Sequence, residues 1–202
     1  MNSIMNEVQI YILPLSFVKD NYSFIVSKVN KDRVEKALRF VNEKDQLLSL
    51  GGAYLFYKYL PKEEIKINSN GKPYLENGPY FNLSHSGEYT VIAISNERDV
   101  GVDIERIDES KIEAIKYSLS EDDKKNVGDN NLFLLWSNKE SLVKCMGTGF
   151  IDFKKVNGLP LIGARNGYYT ISQLYEGYSL SVTLKGNDPF ITKIKLVNFL
   201  EE

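Results

Sequence analysis

Three runs decide the fold class: Tyr80-Phe81-Asn82-Leu83-Ser84, Tyr89-Thr90-Val91-Ile92-Ala93-Ile94-Ser95 and Val100-Gly101-Val102-Asp103-Ile104-Glu105. Each is short, carries β-branched or aromatic residues, and is bounded by Ser/Gly or Asn-Glu-Arg-Asp clusters, as in a meander of adjacent strands. Working outward, Val8 to Leu15 reads as a first strand, with Pro14 marking where pairing stops. Between Lys31 and Leu50 the period becomes helical, with Val34, Ala37, Leu38, Val41 and Leu48 recurring at three and four. Gly51-Gly52 interrupts, and the following AYLFYKYL is a second or continued helix that stops before Pro61. Beyond the meander, Glu109 to Asp123 reads as a solvated helix, and Leu132 to Met146 as an amphipathic helix ended by Gly147. Strands follow around 159–163, 168–174, 178–184 and 191–199, with glycines between them. Helices followed by strands thus occur twice. The expected fold is α+β: two similar α/β halves, 1–99 and 100–202, related by a pseudo-twofold, each a helix packed on a small antiparallel sheet.

The 202 residues suit one sizeable domain or two small ones at ~150 residues each. Lys+Arg 25 against Asp+Glu 27, net −2, removes any global electrostatic case for a nucleic-acid partner. One cysteine, Cys145, and one histidine, His85, exclude an intrachain disulfide or a zinc cluster, so a reducing, cytoplasmic setting is expected. No apolar run approaches the ~20 residues of a membrane span, and the N-terminal stretch has no basic segment before its apolar residues.

In VGVDIE, strand alternation sends Asp103 and Glu105 to the same face. Two carboxylates about 7 Å apart repel unless a cation sits between them, and hard oxygen ligands suit Mg²⁺; the same hexapeptide also reads as a solvated strand face. In the helix 132–146, Leu132, Leu135, Trp136, Val143 and Met146 form an apolar stripe on which Lys139 falls. A lysine there must snorkel or meet an anion. Glu140 and Lys144 lie on the flank, either facing a cleft or forming a surface i,i+4 pair. Trp136 reads as core, and Cys145 as a small buried hydrophobe. His85, in a turn with Ser84, Ser86 and Gly87, is either structural or an anion contact. Lys72 is held extended by Pro73 beside Tyr74. The charges Lys31, Arg33, Lys36, Arg39 and Lys44 form a solvated helix face or steer a polyanion. With no P-loop, nucleophile elbow or metalloprotease helix, this kit fits electrostatic stabilisation of a phosphate-bearing substrate around a divalent cation.

Taken in order, GKPY (71–74), FNLSHS (81–86), GVDIE (101–105) and WSNKESLVKCMGTG (136–149) resemble the 4′-phosphopantetheinyl transferases, specifically the larger pseudodimeric type that activates peptide and polyketide synthetases. The resemblance implies transfer of the phosphopantetheine arm of coenzyme A to a serine of an acyl or peptidyl carrier protein, with Mg²⁺ and release of adenosine 3′,5′-bisphosphate, by a monomer that is internally a pseudodimer. It implies Asp103, Glu105 and Glu140 as metal ligands, and Lys144 as the group that neutralises the pyrophosphate. Asp103, Glu140 and Lys144 would form the catalytic set. Ser84, His85, Lys72 and Lys139, with Arg33 and Lys36 from the first helix, would contact coenzyme A. The family commonly has an arginine before Ser/Thr on the second helix; here Leu48 precedes Ser49, and Lys44 is one substitute. The competing expectation is a non-catalytic coenzyme A or nucleotide-binding protein of the same fold. Carriers being acidic, docking is expected near 106–125, with Lys111, Lys116, Lys124 and Lys125.

Overall fold

The computed structural model describes residues 6–125, 131–149, 156–158 and 160–198, and leaves the side chains at 124 and 125, like residue 159, outside the description. Its N-terminal part contains β1 (Asn6–Pro14), α1 (Leu15–Asp20), α2 (Tyr22–Lys28), α3 (Lys31–Leu38) and α4 (Glu43–Tyr59). The start of α3 is fixed by the Asn30 side chain, which accepts from the Asp32 N–H, and that of α4 by Asn42 accepting from Lys44 N–H; each satisfies an otherwise orphaned donor. Helix α4 runs without a break through Gly51 and Gly52, contrary to the expected interruption. A Cβ at Gly52 would lie 2.7 Å from Leu83 Cδ2, and one at Gly51 3.2 Å from Thr90 Oγ1, so these glycines let the helix approach the sheet rather than end it.

After the two-residue strands β2 (Lys66–Ile67) and β3 (Pro73–Tyr74) come β4 (Tyr80–Ser86), β5 (Tyr89–Ser95) and β6 (Val100–Arg106). A single 3-10 turn at Glu109–Lys111, α5 (Ile112–Ser118) and α6 (Glu121–Lys125) replace the one solvated helix expected there. Helix α7 (Leu132–Met146) is stopped by Gly147 at φ 69°, and β7 (Ile162–Arg165), β8 (Tyr168–Tyr175), β9 (Tyr178–Lys185) and β10 (Phe190–Leu196) complete the order.

The three runs that decide the fold class do not stay in one sheet. β4 and β5 pair antiparallel in the sheet β10-β1-β5-β4, while β6 leaves them to pair with β9 in the sheet β6-β9-β8-β7. β10 crosses the division at 99/100 and lies parallel to β1, with Asn6 opposite Phe190 and Ile12 opposite Leu196, so the first sheet is mixed rather than purely antiparallel. The two sheets share a core of Val8, Ile10, Ile12, Val91, Val102, Ile104, Leu180, Val182 and Leu184. The other face of the first sheet carries α1 to α4, packed through Leu50, Tyr54, Leu55 and Phe81.

The other face of the second sheet is covered by α7 and is polar although buried. Alternation in YSLSVTLK sends Tyr178, Leu180, Val182 and Leu184 to the apolar core and Ser179, Ser181 and Thr183 under the helix. There Ser137 meets Ser181 at 2.7 Å, Ser181 donates to Ser172 at 2.8 Å, Ser141 meets Thr183 at 2.7 Å and Thr170 meets Thr183 at 2.6 Å. Small hydroxyls bring the helix close, and mutual hydrogen bonds remove the cost of burying all of these but Ser179, whose hydroxyl has no partner. At the closest point a Cβ on Gly101 would collide with the Ser141 carbonyl oxygen and the Cys145 amide nitrogen.

Gly101→Ala is therefore expected to lower stability by about 2–3 kcal/mol, roughly 5–10 °C in thermal midpoint for a chain of this size, because only backbone faces the added methyl. Urea and thermal unfolding check this. An unchanged midpoint would mean that α7 can retreat from β6 without loss.

Candidate functional site

Where the edge strands of the two sheets meet, β4 and β6 are joined by side chains in place of a backbone ladder. Asn82 Oδ1 accepts from the Val102 N–H at 2.9 Å, Ser84 Oγ from the Ile104 N–H at 3.4 Å, and Ser86 Oγ from the Arg106 N–H at 3.1 Å. The same hydroxyls donate onward, Ser84 to Asp103 Oδ1 at 2.9 Å and Ser86 to Glu105 Oε2 at 3.0 Å. The stitch that holds the strands together thus also aims the two carboxylates.

Helix α7 closes the site from the side. Lys144 Nζ donates to Asp103 Oδ1 at 2.5 Å and to Ser84 Oγ at 3.0 Å, and lies 3.7 Å from Glu140 Oε2. Lys111 stands 3.9 Å from Glu105 on the outer rim. Asp103 is 1% exposed, and its second oxygen, Oδ2, is buried without a hydrogen-bond partner. The loop Asn70–Lys72, Asn82, Glu140, Val143, Lys144 and Gly147 enclose a cavity of about 180 Å³, the size of a small anionic group rather than a whole cofactor.

The electrostatics follow from burial and crowding of like charge. Burial, then the charges of Asp103 and Glu105, push Glu140 up to about 7, with Lys144 opposing. Burial also raises Asp103 and Glu105, the latter further through Asp103's charge. Burial alone would lower Lys144, but attraction by Asp103, Glu140 and Glu105 outweighs it and keeps the lysine cationic. Among the described residues no three acidic, His or Cys side chains form a ready-made cage for a metal. Mg²⁺ needs none, since it is usually held by one or two carboxylates with waters and substrate phosphates. An orphaned, buried carboxylate oxygen beside two more hard oxygen donors fits that requirement.

Of the residues expected to act, the structure brings Asp103, Glu105, Glu140, Lys144 and Ser84 together. Ser84 is buried and belongs to the carboxylate network, whereas His85, its neighbour on the strand, points to the opposite face. The exposed His85 is held below its usual pKa, first by partial loss of water and then by Lys144. Lys72 turns its ammonium onto two main-chain carbonyls, Cys145 at 3.0 Å and Val100 at 3.3 Å, where it ties the 68–74 loop to the C-terminal end of α7. Arg33 lies over the Phe56 ring at 5.4 Å and, with exposed Lys36, is not brought to the carboxylates; it lines a separate cavity of about 710 Å³. Lys139 does not enter the cleft either: it is fully buried and paired with Asp123 at 2.6 Å. Cys145 is buried, which pushes its thiol up to about 12 and leaves it inert. Asn82 and Asp123 are the participants sequence reasoning passes over, and Ser86, read there as an anion contact, proves to hold the Arg106 N–H and Glu105. Their signal is the alternation Asn82/Ser84/Ser86 opposite Phe81/Leu83, polar on one face of a strand whose other face is core.

Comparison with known proteins gives two family matches. Residues 99–193 match the model described as 4′-phosphopantetheinyl transferase superfamily, and residues 16–97 the one described as 4′-phosphopantetheinyl transferase, N-terminal; the matches meet in the turn between β5 and β6. The chain is 36% identical over 160 residues to the 4′-phosphopantetheinyl transferase gsp of Aneurinibacillus migulanus, covering 72% of this chain and 67% of that protein. It is 29% identical over 153 residues to the 4′-phosphopantetheinyl transferase Sfp of Bacillus subtilis (strain 168), 67% of each. It is also 33% identical over 94 residues to the L-aminoadipate-semialdehyde dehydrogenase-phosphopantetheinyl transferase of Rattus norvegicus, covering 39% of this chain and 30% of that protein. The chain thus spans about two thirds of the length of the two bacterial relatives.

The raised Glu140 has a consequence for stability. Its folded-state value of about 7 exceeds the ordinary 4.5, so between those values the folded protein binds more protons than the unfolded chain, and stability falls as pH rises through the window. Glu140→Gln removes this loss. In the presence of chelator its thermal midpoint should exceed the parent's at pH 8, and the difference should shrink towards pH 5. A lower midpoint at pH 8 would mean that attraction to Lys144 outweighs the repulsion by Asp103 and Glu105.

Proposed function

The chain belongs to the 4′-phosphopantetheinyl transferase family, and we propose that its carboxylate cluster is the centre at which the coenzyme A pyrophosphate is cleaved. It is an enzyme that transfers the phosphopantetheine group of coenzyme A to a carrier protein. The observation that carries the site assignment is the buried, unpartnered Asp103 Oδ2 on a carboxylate paired with Lys144, which with Glu140 lines a small cavity.

In this reading Asp103, Glu105 and Glu140 hold Mg²⁺, whose chemistry is neutralisation of charge on the pyrophosphate oxygens. The serine oxygen of the carrier attacks the β-phosphorus in line, a new P–O bond forms, and the bond to the bridging oxygen breaks to release adenosine 3′,5′-bisphosphate. Lys144, kept cationic by its carboxylate neighbours, donates to the pyrophosphate oxygens on which charge accumulates. Glu140, which lines the small cavity beside Lys144, is placed to take the serine proton. Lys111 on the rim, beside Glu105, supports docking of an acidic carrier against the 106–125 region. His85 meets the 3′-phosphate from the exposed face of β4. The protein works as a monomer whose two sheet and helix units are related by a pseudo-twofold. Its cytoplasmic placement is supported by one inert thiol, and no described helix is long and apolar enough to cross a membrane.

The test is intact-mass analysis of apo carrier proteins incubated with coenzyme A and Mg²⁺, expected to gain one phosphopantetheine arm that vanishes when the acceptor serine becomes alanine. Asp103→Asn keeps volume and one oxygen and should cut transfer at least ~100-fold, about 2.7 kcal/mol of transition-state stabilisation. Wild-type transfer by that variant would move the metal elsewhere. His85→Ala should weaken coenzyme A by roughly tenfold or more, the worth of one charge-assisted hydrogen bond, while leaving dephospho-coenzyme A unaffected. Equal weakening of both would return His85 to the scaffold.

A further inference from the structure

Lys139 is among the largest fully buried side chains of the protein, yet nothing in the reaction uses it. Its Nζ donates to Asp123 Oδ2 at 2.6 Å. Asp123, 4% exposed, is committed on every side: Oδ2 also accepts from Ser120 Oγ at 2.7 Å and Ser120 N–H at 3.2 Å, and Oδ1 accepts from the Gly158 N–H at 2.9 Å. A Cβ on Gly158 would lie 2.5 Å from Leu135 on α7. Three chain segments therefore converge on one carboxylate: the start of α6, the middle of α7 and the approach to the second sheet.

The placement matters because Lys139 and Glu140 are consecutive on α7, about 100° apart around the axis. The rotation of that helix is set by Ser137 and Ser141 on the sheet side, by Asn138 on the Pro160 carbonyl, and by Lys139 on Asp123. What remains points Glu140 and Lys144 at Asp103. The segment 108–125 is moreover tied to the site at both ends, through Lys111 at Glu105 and through Asp123 at Lys139.

We propose that Lys139 is a positioning residue: its buried pair with Asp123 clamps the 108–125 segment onto α7 and fixes where Glu140 stands, without touching coenzyme A. This rests on the transferase reading of Glu140. Removing one member of such a pair leaves an uncompensated buried charge, whereas neutralising both is often tolerated. Neutralising Asp123 to asparagine keeps one oxygen, enough for the Gly158 N–H, and turns its NH2 toward the Ser120 hydroxyl, which can accept as well as donate.

The experiment compares wild type, Lys139→Met and the double variant Lys139→Met/Asp123→Asn in the full chain, reading kcat, the coenzyme A Kd by calorimetry, the Mg²⁺ concentration for half-maximal rate, and the thermal midpoint. Lys139→Met should lower kcat by roughly 30-fold and raise the Mg²⁺ requirement, as a misplaced site residue does, with the coenzyme A Kd unchanged. Adding Asp123→Asn should recover the thermal midpoint, because no unpaired charge is left buried, while kcat stays below wild type because the clamp is gone. A coenzyme A Kd weakened at least about tenfold in both variants would make Lys139 a phosphate ligand and overturn the proposal. A folded Lys139→Met protein with wild-type kcat and Mg²⁺ requirement, whatever its midpoint, would also overturn it. If Lys139→Met does not fold, the double variant decides alone: a lowered kcat with unchanged coenzyme A affinity supports the clamp, and wild-type kcat or lost affinity refutes it. Should wild type itself transfer to no carrier, the transferase reading fails, and the three coenzyme A affinities with the midpoints still decide whether Lys139 is ligand or clamp.

Discussion

Everything at this site depends on two strand edges that meet without a backbone ladder. An exposed edge presents unpaired N–H groups that need partners, and on β6 those of Val102, Ile104 and Arg106 find Asn82, Ser84 and Ser86. A hydroxyl has one donor and two acceptor positions, so Ser84 accepts from a neighbouring strand and still donates to Asp103. Main-chain carbonyls can only accept and would have offered the carboxylates nothing. Joining the units through side chains is thus what allows acidic residues to stand buried at the seam with their oxygens oriented.

The second constraint is the hydroxyl-lined face under α7. A leucine-rich face would hold a helix at about 10 Å from a sheet, and Glu140 and Lys144 would stand correspondingly farther from Asp103. Ser179, Ser181, Thr183 and Gly101 shorten that distance, and the hydrogen bonds among the hydroxyls specify one register of the helix. A Leu-on-Leu contact would tolerate slippage by comparison, because dispersion is not directional. One hydroxyl, Ser179 Oγ, is buried without a partner, next to Glu105 in the strand pairing.

Local patterns made much of this legible in the sequence. Alternation placed Asp103 and Glu105 on one face, the 3.6-residue period gave α7, and Gly147 gave its end. Lys139 on an apolar stripe demands an anion, and Asp123 supplies it; a motif records identity and not direction, so the pair is not legible from it. Ser84 and His85 are neighbours in sequence, yet neighbours on a strand face opposite ways. Non-local choices stayed hidden. Nothing in VGVDIE announces that it pairs with YSLSVTLK some 80 residues on rather than with YTVIAIS beside it, and Gly51-Gly52 looked like a break because the close approach of Leu83 is a tertiary fact. Asn82, Ser84 and Ser86 carried a readable pattern, polar on one face of an otherwise apolar strand, whose meaning appears only once β6 lies alongside.

The parallel pairing of β10 with β1 bears on how the chain reaches this structure. The first sheet has its outer strand supplied from residues 190–196, so the unit synthesised first waits with β1 unpaired on one side until nearly the whole described chain has left the ribosome. Contacts between such distant positions slow folding through loop-closure entropy, and an exposed edge in the interval invites pairing with other chains. The first unit consequently matures only with the second, and severing the chain in the turn between β5 and β6 would leave β6 to β9 with their sheet entire while stripping the first sheet of β10.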